Sequence, residues 1–212
     1  MNSGYGYKRM PRSLGAKKTK SILIICEGVK TEPNYFYKFK EKIEDANDIN
    51  IKIYGKGANT LSLVDMAIEM RDEKPNEYIE VWCVFDKDSF KADNFDNAIH
   101  KAESKKIRAA WSNECFELWY MLHFDYHTAA LNRKQYTKVL NKSFQKNKIN
   151  KKYKKNDKDM YNILENRQHI AIRNAEKLIL QFRANTYHLQ NPSTTVYSLV
   201  KRLNEFIPNN RA

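Results

Sequence analysis

Lys20-Ser-Ile-Leu-Ile-Ile-Cys-Glu-Gly-Val-Lys-Thr-Glu-Pro-Asn-Tyr-Phe36 decides how the chain folds. Its run from Ile22 to Cys26 is short, continuous and rich in isoleucine, which suits a strand covered on both faces. The run stops at Glu27-Gly28, so Glu27 stands at the carboxyl end of a buried strand, where open α/β sheets place their ligands. Gly28 permits a sharp turn or a close backbone approach. Thr31 is in place to cap a helix that Glu32 and Pro33 open.

Outward from this stretch, strand and helix patterns alternate. A helix is expected over about 32–45, with Tyr35, Phe36, Phe39 and Ile43 on one face. Asn50–Tyr54 alternates and reads as a strand nearer a sheet edge. A turn leads to a second helix over about 61–74, with Leu61, Val64, Met66, Ile68 and Met70 as its apolar side. Glu80–Phe85 is a second central strand, and Asp86-Lys87-Asp88 comes directly after it. Asp93 can cap a helix over about 95–105, and Ile107–Trp111 is a fourth strand. This order indicates a parallel, doubly wound α/β sheet with its strand carboxyl ends on one edge.

Asn113–Phe124 then reads as a helix, and most of the remaining chain reads as helical, over about 133–141, 160–166, 168–183 and 194–206. Pro192-Ser-Thr-Thr195 reads as the start signal of the last helix. Residues 1–20 lack apolar periodicity and read as a basic, flexible arm. The expected organisation is thus an arm over 1–20, a catalytic core over 21–124 and a basic helical extension over 125–212, packed on the core.

Charge divides the chain unevenly. Residues 1–123 carry 20 Lys+Arg and 19 Asp+Glu, whereas residues 124–212 carry 18 and 6. A net of +1 in the first part and +12 in the second suggests a core joined to an anion-binding extension. A solvated lysine-rich surface is the alternative. Cys26, Cys83 and Cys115 lack paired or metal-type spacing and read as small core residues in a reducing compartment. No apolar run approaches the ~20 residues of a membrane span, so a cytoplasmic protein is expected.

Two central strands therefore end in acids: Glu27 on the first, Asp86 and Asp88 after the third. If these strands are neighbours, the acids share one edge. An extended Asp-x-Asp points both carboxylates the same way. Crowded acids repel, and a divalent cation with oxygen preference, Mg²⁺ or Mn²⁺, resolves that repulsion. On a basic protein, such a site points to phosphodiester chemistry, with Glu27 as a ligand or as a general acid–base group. The competing reading makes Asp86 and Asp88 loop or cap residues and puts Glu27 in a lysine salt bridge.

The layout strand–Glu-Gly–helix, then strand–Asp-x-Asp, resembles the Toprim domain shared by topoisomerases, bacterial primases and overcoming-lysogenization-defect nucleases. More specifically, Cys26–Phe36, Val84–Asp88, Ser112–Phe124 and Asn191–Val196 resemble the RloB family, block by block and in order, over about residues 20–206. The resemblance implies a Toprim nuclease of abortive infection against phage, acting on RNA such as tRNA or on DNA, often beside an ABC-type ATPase partner. It implies that Glu27 is the Toprim glutamate and that Asp86 and Asp88 bind the metal.

Further candidates lie near this edge. Glu117 is a possible ligand or base and Asn113 a phosphate contact, although Asn113 also suits a helix cap. His123 sits in an apolar stripe and reads as a core histidine. Lys30, Thr31 and Lys87 are placed for phosphate contacts. Lys154, Lys155 and Arg173, with Arg167, are candidates for a nucleic-acid backbone, and Phe144, Tyr153 and Tyr161 for base stacking. His100, His127, His169 and His188 are expected on the surface. Oligomerisation is possible. A non-catalytic nucleic-acid-binding or regulatory subunit is the main alternative function. Nucleotidyl transfer ranks last, because no primase zinc motif is present.

Overall fold

The computed structural model describes residues 20–46, 48–88, 92–182 and 186–208. The arm expected over 1–20 lies outside these, apart from Lys20. Strands β1 (Lys20–Cys26), β2 (Ile49–Gly55), β3 (Tyr78–Asp86), β4 (Arg108–Asn113) and β5 (Ser193–Thr194) form one sheet in the order β2-β1-β3-β4-β5. The first four are parallel, and β5 runs antiparallel to β4. Helices α1 (Thr31–Glu44), α2 (Thr60–Asp72), α3 (Ala92–Ser104), α4 (Glu117–Leu122), α5 (Arg133–Lys146), α6 (Met160–Leu164), α7 (Gln168–Ile179) and α8 (Val196–Asn204) flank it. The fold is α/β, mostly parallel and Rossmann-like, as the alternating pattern predicts.

The period of two along β1 builds both layers. Ile22, Ile24 and Cys26 join one core with Tyr35, Phe36 and Phe39 of α1 and the apolar residues of α4 to α8. Leu23 and Ile25 join the other with Leu63, Val64 and Ala67 of α2 and Phe95, Ala98 and Ile99 of α3. All five residues of β1 from Ile22 to Cys26 are fully buried. Each large one contributes roughly 1.5–3 kcal/mol of burial. The apolar face of α2 is rotated from the one expected: Leu63 and Ala67 are buried, while Leu61, Met66, Ile68 and Met70 are only partly so.

Chain direction reverses at the β1–β3 seam. The connection from β1 leads through α1 to β2 on one side, and the connection from β2 crosses back through α2 to β3 on the other. Such a switch point opens a crevice at the strand carboxyl ends. Gly55, at the end of β2, allows close passage here: a Cβ would lie 2.7 Å from the Gly28 carbonyl oxygen and 2.7 Å from the Val29 Cα.

The fifth strand is an addition to the expected pattern. Pro192-Ser-Thr-Thr195 does precede a helix, but Ser193 and Thr194 first pair with Asn113 and Ser112. The hydroxyls carry this edge. Thr194 Oγ1 donates to the Trp111 carbonyl at 2.9 Å, Thr195 Oγ1 accepts from the Trp111 N–H at 2.9 Å, and Ser112 Oγ meets Thr194 Oγ1 at 3.0 Å. The helix expected over 113–124 shortens to α4, because Ser112 and Asn113 belong to β4. The helix expected to reach Arg183 ends at Ile179, and the one expected to end near Asn141 extends to Lys146.

Backbone crowding at Gly55 yields a direct test. Gly55→Ala forces apart the end of β2 and the Glu-Gly turn, at a cost of about 1–3 kcal/mol. Urea unfolding should show the midpoint falling with an unchanged slope.

Candidate active site

Parallel pairing of β1 with β3 sets Cys26 against Val84, so the next residues emerge side by side. The Glu27 N–H donates to the Val84 carbonyl at 2.8 Å, and the Asp86 N–H donates to Glu27 Oε2 at 3.1 Å. Glu27 and Asp86 are thus joined directly across the switch point.

Two further acids share this place. Glu117 opens α4, and Glu32 lies in the first turn of α1. Asp86, Glu117 and Glu32 are 7%, 6% and 5% exposed, so all three carboxylates are nearly out of water. Burial raises the pKa of Asp86 well above the carboxylate range, and Glu32, Glu117 and Glu27 raise it further. Burial also raises Glu32, aided by Glu117 and opposed by Lys155 and Arg133. Glu27 is pushed up to about 7, chiefly by burial, against the pull of the Asp86 N–H.

Sequence reasoning missed Glu32, which reads there only as a helix opener. Its carboxylate folds back over Gly28. A Cβ at Gly28 would stand 2.1 Å from Glu32 Oε2, so glycine is what leaves room for this acid. Thr31 does not cap α1: Lys30 holds the cap position without a side-chain bond. Thr31 Oγ1 instead donates to Asn156 Oδ1 at 2.7 Å, and Asn34 Nδ2 donates to the Asn156 carbonyl at 3.0 Å. The segment after α5 is thereby pinned to the start of α1.

Asp88 behaves differently from Asp86. Strand β3 ends at Asp86, and Asp88 has φ of 40°, a left-handed conformation that aspartate tolerates. The extended Asp-x-Asp geometry therefore does not form. Asp88 pairs instead with Arg133, the first residue of α5. Arg133 is the second residue that the sequence does not single out; its only signal is its charge beside the Asn132–Gln135 capping box.

A cavity of about 330 Å³ opens at this edge, lined by Glu27, Lys30, Glu32, Arg133, Lys155 and Asn156 among others. Lys30 and Lys155 are exposed at its rim. Lys87 is half-buried, and its N–H donates to the Ser112 carbonyl. Lys154 and Arg173 are exposed and do not line this cavity. Asn113 neither caps a helix nor faces the cavity; its amide donates to the carbonyls of Tyr187, at 3.3 Å, and His188, at 2.9 Å.

The stacking candidates are also corrected. Phe144, Tyr153 and Tyr161 are buried in the core. The Tyr153 hydroxyl donates to Glu117 Oε1 at 2.9 Å, so it orients an acid of the site. Arg167 lies over the Phe124 ring, 5.4 Å from its centroid. His123 is buried with Nδ1 2.8 Å from the Trp119 carbonyl, and burial lowers its pKa to about 3, as suits a core histidine. His188, expected on the surface, is half-buried against Asp96.

The donor set can be tested against a hard divalent cation. Asp86 Oδ1 and Glu32 Oε2 are buried and meet no hydrogen-bond donor among the described residues. Buried orphan carboxylate oxygens suit such a cation. Among the described residues, however, no group of three or more His, Cys, Asp or Glu side chains is arranged to hold a metal ion. Magnesium commonly takes only one or two carboxylates, completing its shell with water and substrate phosphate, so the residues fit that mode of binding.

Glu27 gives the cation-free protein a pH signature. The folded state keeps the Glu27 proton up to about pH 7, whereas the unfolded chain releases it near 4.5. The stability this proton contributes is complete below 4.5 and is lost as pH rises through about 7. Asp86 acts in the same direction. With chelator present, thermal stability should fall from about pH 5 to about pH 8, by on the order of 1–3 kcal/mol after solvent screening. Glu27→Gln should reduce the slope and leave the part that Asp86 contributes.

No helix among the described residues is long and apolar enough to cross a membrane. No curated protein and no solved structure matches the chain. The blocks that build this edge, from β1 through the β5 hydroxyls, fall within one continuous family match over residues 22–203, and the chain belongs to the RloB-like protein family.

Proposed function

We propose that the protein is a metal-dependent Toprim-type nuclease that cleaves phosphodiester bonds in RNA, such as tRNA, or in DNA. On this reading it serves as an effector of bacterial anti-phage abortive infection, with an ABC-type ATPase as partner. The observation that carries the chemistry is the pair Glu27 and Asp86, joined across the switch point with a buried oxygen left unpartnered. Mg²⁺ or Mn²⁺ would be held by the two strand-end carboxylates, Glu27 and Asp86, with water and substrate phosphate completing its shell, and would supply charge neutralisation on the phosphate and an activated water. Lys30 and Lys155, at the cavity rim, orient the phosphate. Glu27, half-exposed and with its pKa near neutrality in the cation-free protein, can take or return a proton at its carboxylate oxygens. Glu117, fixed by Tyr153, strengthens the negative field without facing the cavity.

Basic surface supports a nucleic-acid substrate. A groove of about 800 Å³ between α5 and the segment after it is lined by Lys138, Lys142, Lys151 and Lys152. Lys151 is already paired with Asp157 and Asp159, which leaves the other three as candidates to track a phosphate backbone.

A non-catalytic binding subunit is the second reading, favoured by the incomplete ligand set and by the pairing of Asp88 with Arg133. It predicts steeply salt-dependent binding without turnover. Purified protein with Mg²⁺ should nick plasmid or cleave tRNA, and Glu27→Ala or Asp86→Ala should reduce this about a hundredfold or more. Asp86→Asn should abolish cleavage while raising stability at about pH 8 by roughly 1–2 kcal/mol, because it removes a buried carboxyl whose ionisation is opposed by burial and by the neighbouring acids. Cleavage by the alanine variants at the wild-type rate would sink the site assignment.

A further inference from the structure

Arg133 holds a position that the proposed chemistry leaves unused. Its start on α5 is fixed by the reciprocal Asn132–Gln135 capping box, so the side chain leaves a rigid helix end. The guanidinium pairs with Asp88 through Nη1 and also lines the cavity beside Glu27, Glu32 and Lys155. Burial works against its charge, but Asp88, Asp86 and Glu117 hold it protonated. It also opposes the raised pKa of both Glu27 and Glu32. Arg133 is thus the counter-charge shared by the acids of the site.

The pairing with Asp88 is weakly held. Both side chains are solvent-accessible, at 41% for Arg133 and 27% for Asp88, and exposed ion pairs contribute little. Among the described residues Arg133 makes one hydrogen bond, to Asp88, which leaves further guanidinium N–H groups for phosphate oxygens, and guanidinium grips these bidentately.

We propose that Arg133 grips the phosphate of this site alongside Lys30 and Lys155 and that Asp88 is its resting partner. The inference rests on the phosphodiester chemistry proposed for the site. As a phosphate enters between Glu27 and Lys155, the guanidinium moves from Asp88 to the phosphate oxygens. Asp88 is then free to support a divalent cation beside Glu27 and Asp86. Phosphate and cation each strengthen the binding of the other, as linkage requires. The extension thereby supplies a substrate ligand to acids carried by the sheet.

The test uses the full chain and two probes, Mn²⁺ alone by calorimetry and inorganic phosphate in chelator by ³¹P line broadening. Arg133→Ala should weaken phosphate about tenfold and tighten Mn²⁺ about tenfold, each equivalent to one lost or released charge-assisted contact. Asp88→Asn should tighten phosphate, and that gain should vanish in the Asp88→Asn/Arg133→Ala double variant. Arg133→Lys should recover only part of the phosphate affinity. Thermal melts identify any variant that fails to fold, and Lys155→Ala then reads the same phosphate site from its other wall. Wild-type phosphate affinity in Arg133→Ala, or a gain that persists in the double variant, overturns the proposal. Failure of the wild type to bind Mn²⁺ would instead sink the metal reading, while the phosphate measurements judge Arg133 separately.

Discussion

Strands β1 and β3 lie side by side while their connecting helices depart to opposite faces, and the candidate site depends on that seam. The seam leaves a crevice that no crossover fills. Parallel register then delivers Glu27 and Asp86 to it together, locked by one backbone-to-carboxylate bond. Glu32 and Glu117 crowd the same point from the starts of α1 and α4. Burying carboxylates with unpartnered oxygens works against folding. The surrounding core, with Ile22 to Cys26 fully buried, supplies the stability that lets this arrangement persist.

The second half of the chain is structurally inseparable from this edge. Apolar residues of α5 to α8 share one core with β1 and α1. Tyr153, from the lysine-rich segment after α5, reaches inward to Glu117, and Asn156 ties that segment to α1. Arg133 and Lys155 then close the cavity. The contrast between a near-neutral first half and a basic second half is thus built into one site, with acids on the sheet edge and cations on the cover.

Elements governed by strong periodicity are legible in the sequence. The Ile22–Cys26 and Val81–Phe85 runs mark the central strands, and the strand ends mark Glu27 and Asp86. What escapes depends on tertiary pairing. Strand β5 has two residues, too few for a pattern, and is held by threonine hydroxyls against Trp111. Asn113 extends β4 because β5 is there to pair with it. Tyr153, Phe144 and Tyr161 sit among lysines in sequence, yet their rings are buried, which local composition does not reveal. Asp88 defeats the period-two argument because its backbone turns left-handed just past the strand end. The missing Cβ of Gly28 is the one signal that could have exposed Glu32.

Charge balance makes the case for joint occupancy. Arg133 interacts electrostatically with Glu27, Glu32, Asp86 and Glu117, and Lys155 with Glu32, so the two sets partly cancel. A phosphate entering alone gains the cations but meets the acids. A divalent cation entering alone gains the acids but meets Arg133. Each of these encounters carries an electrostatic penalty that the other ligand relieves, since low dielectric strengthens attraction and repulsion alike. A site of mixed sign at a buried strand edge therefore favours a cation and a phosphate bound together over either by itself. If the proposed chemistry holds, that preference would make a complete protein ligand set unnecessary, because part of the cation's shell would arrive with the substrate phosphate.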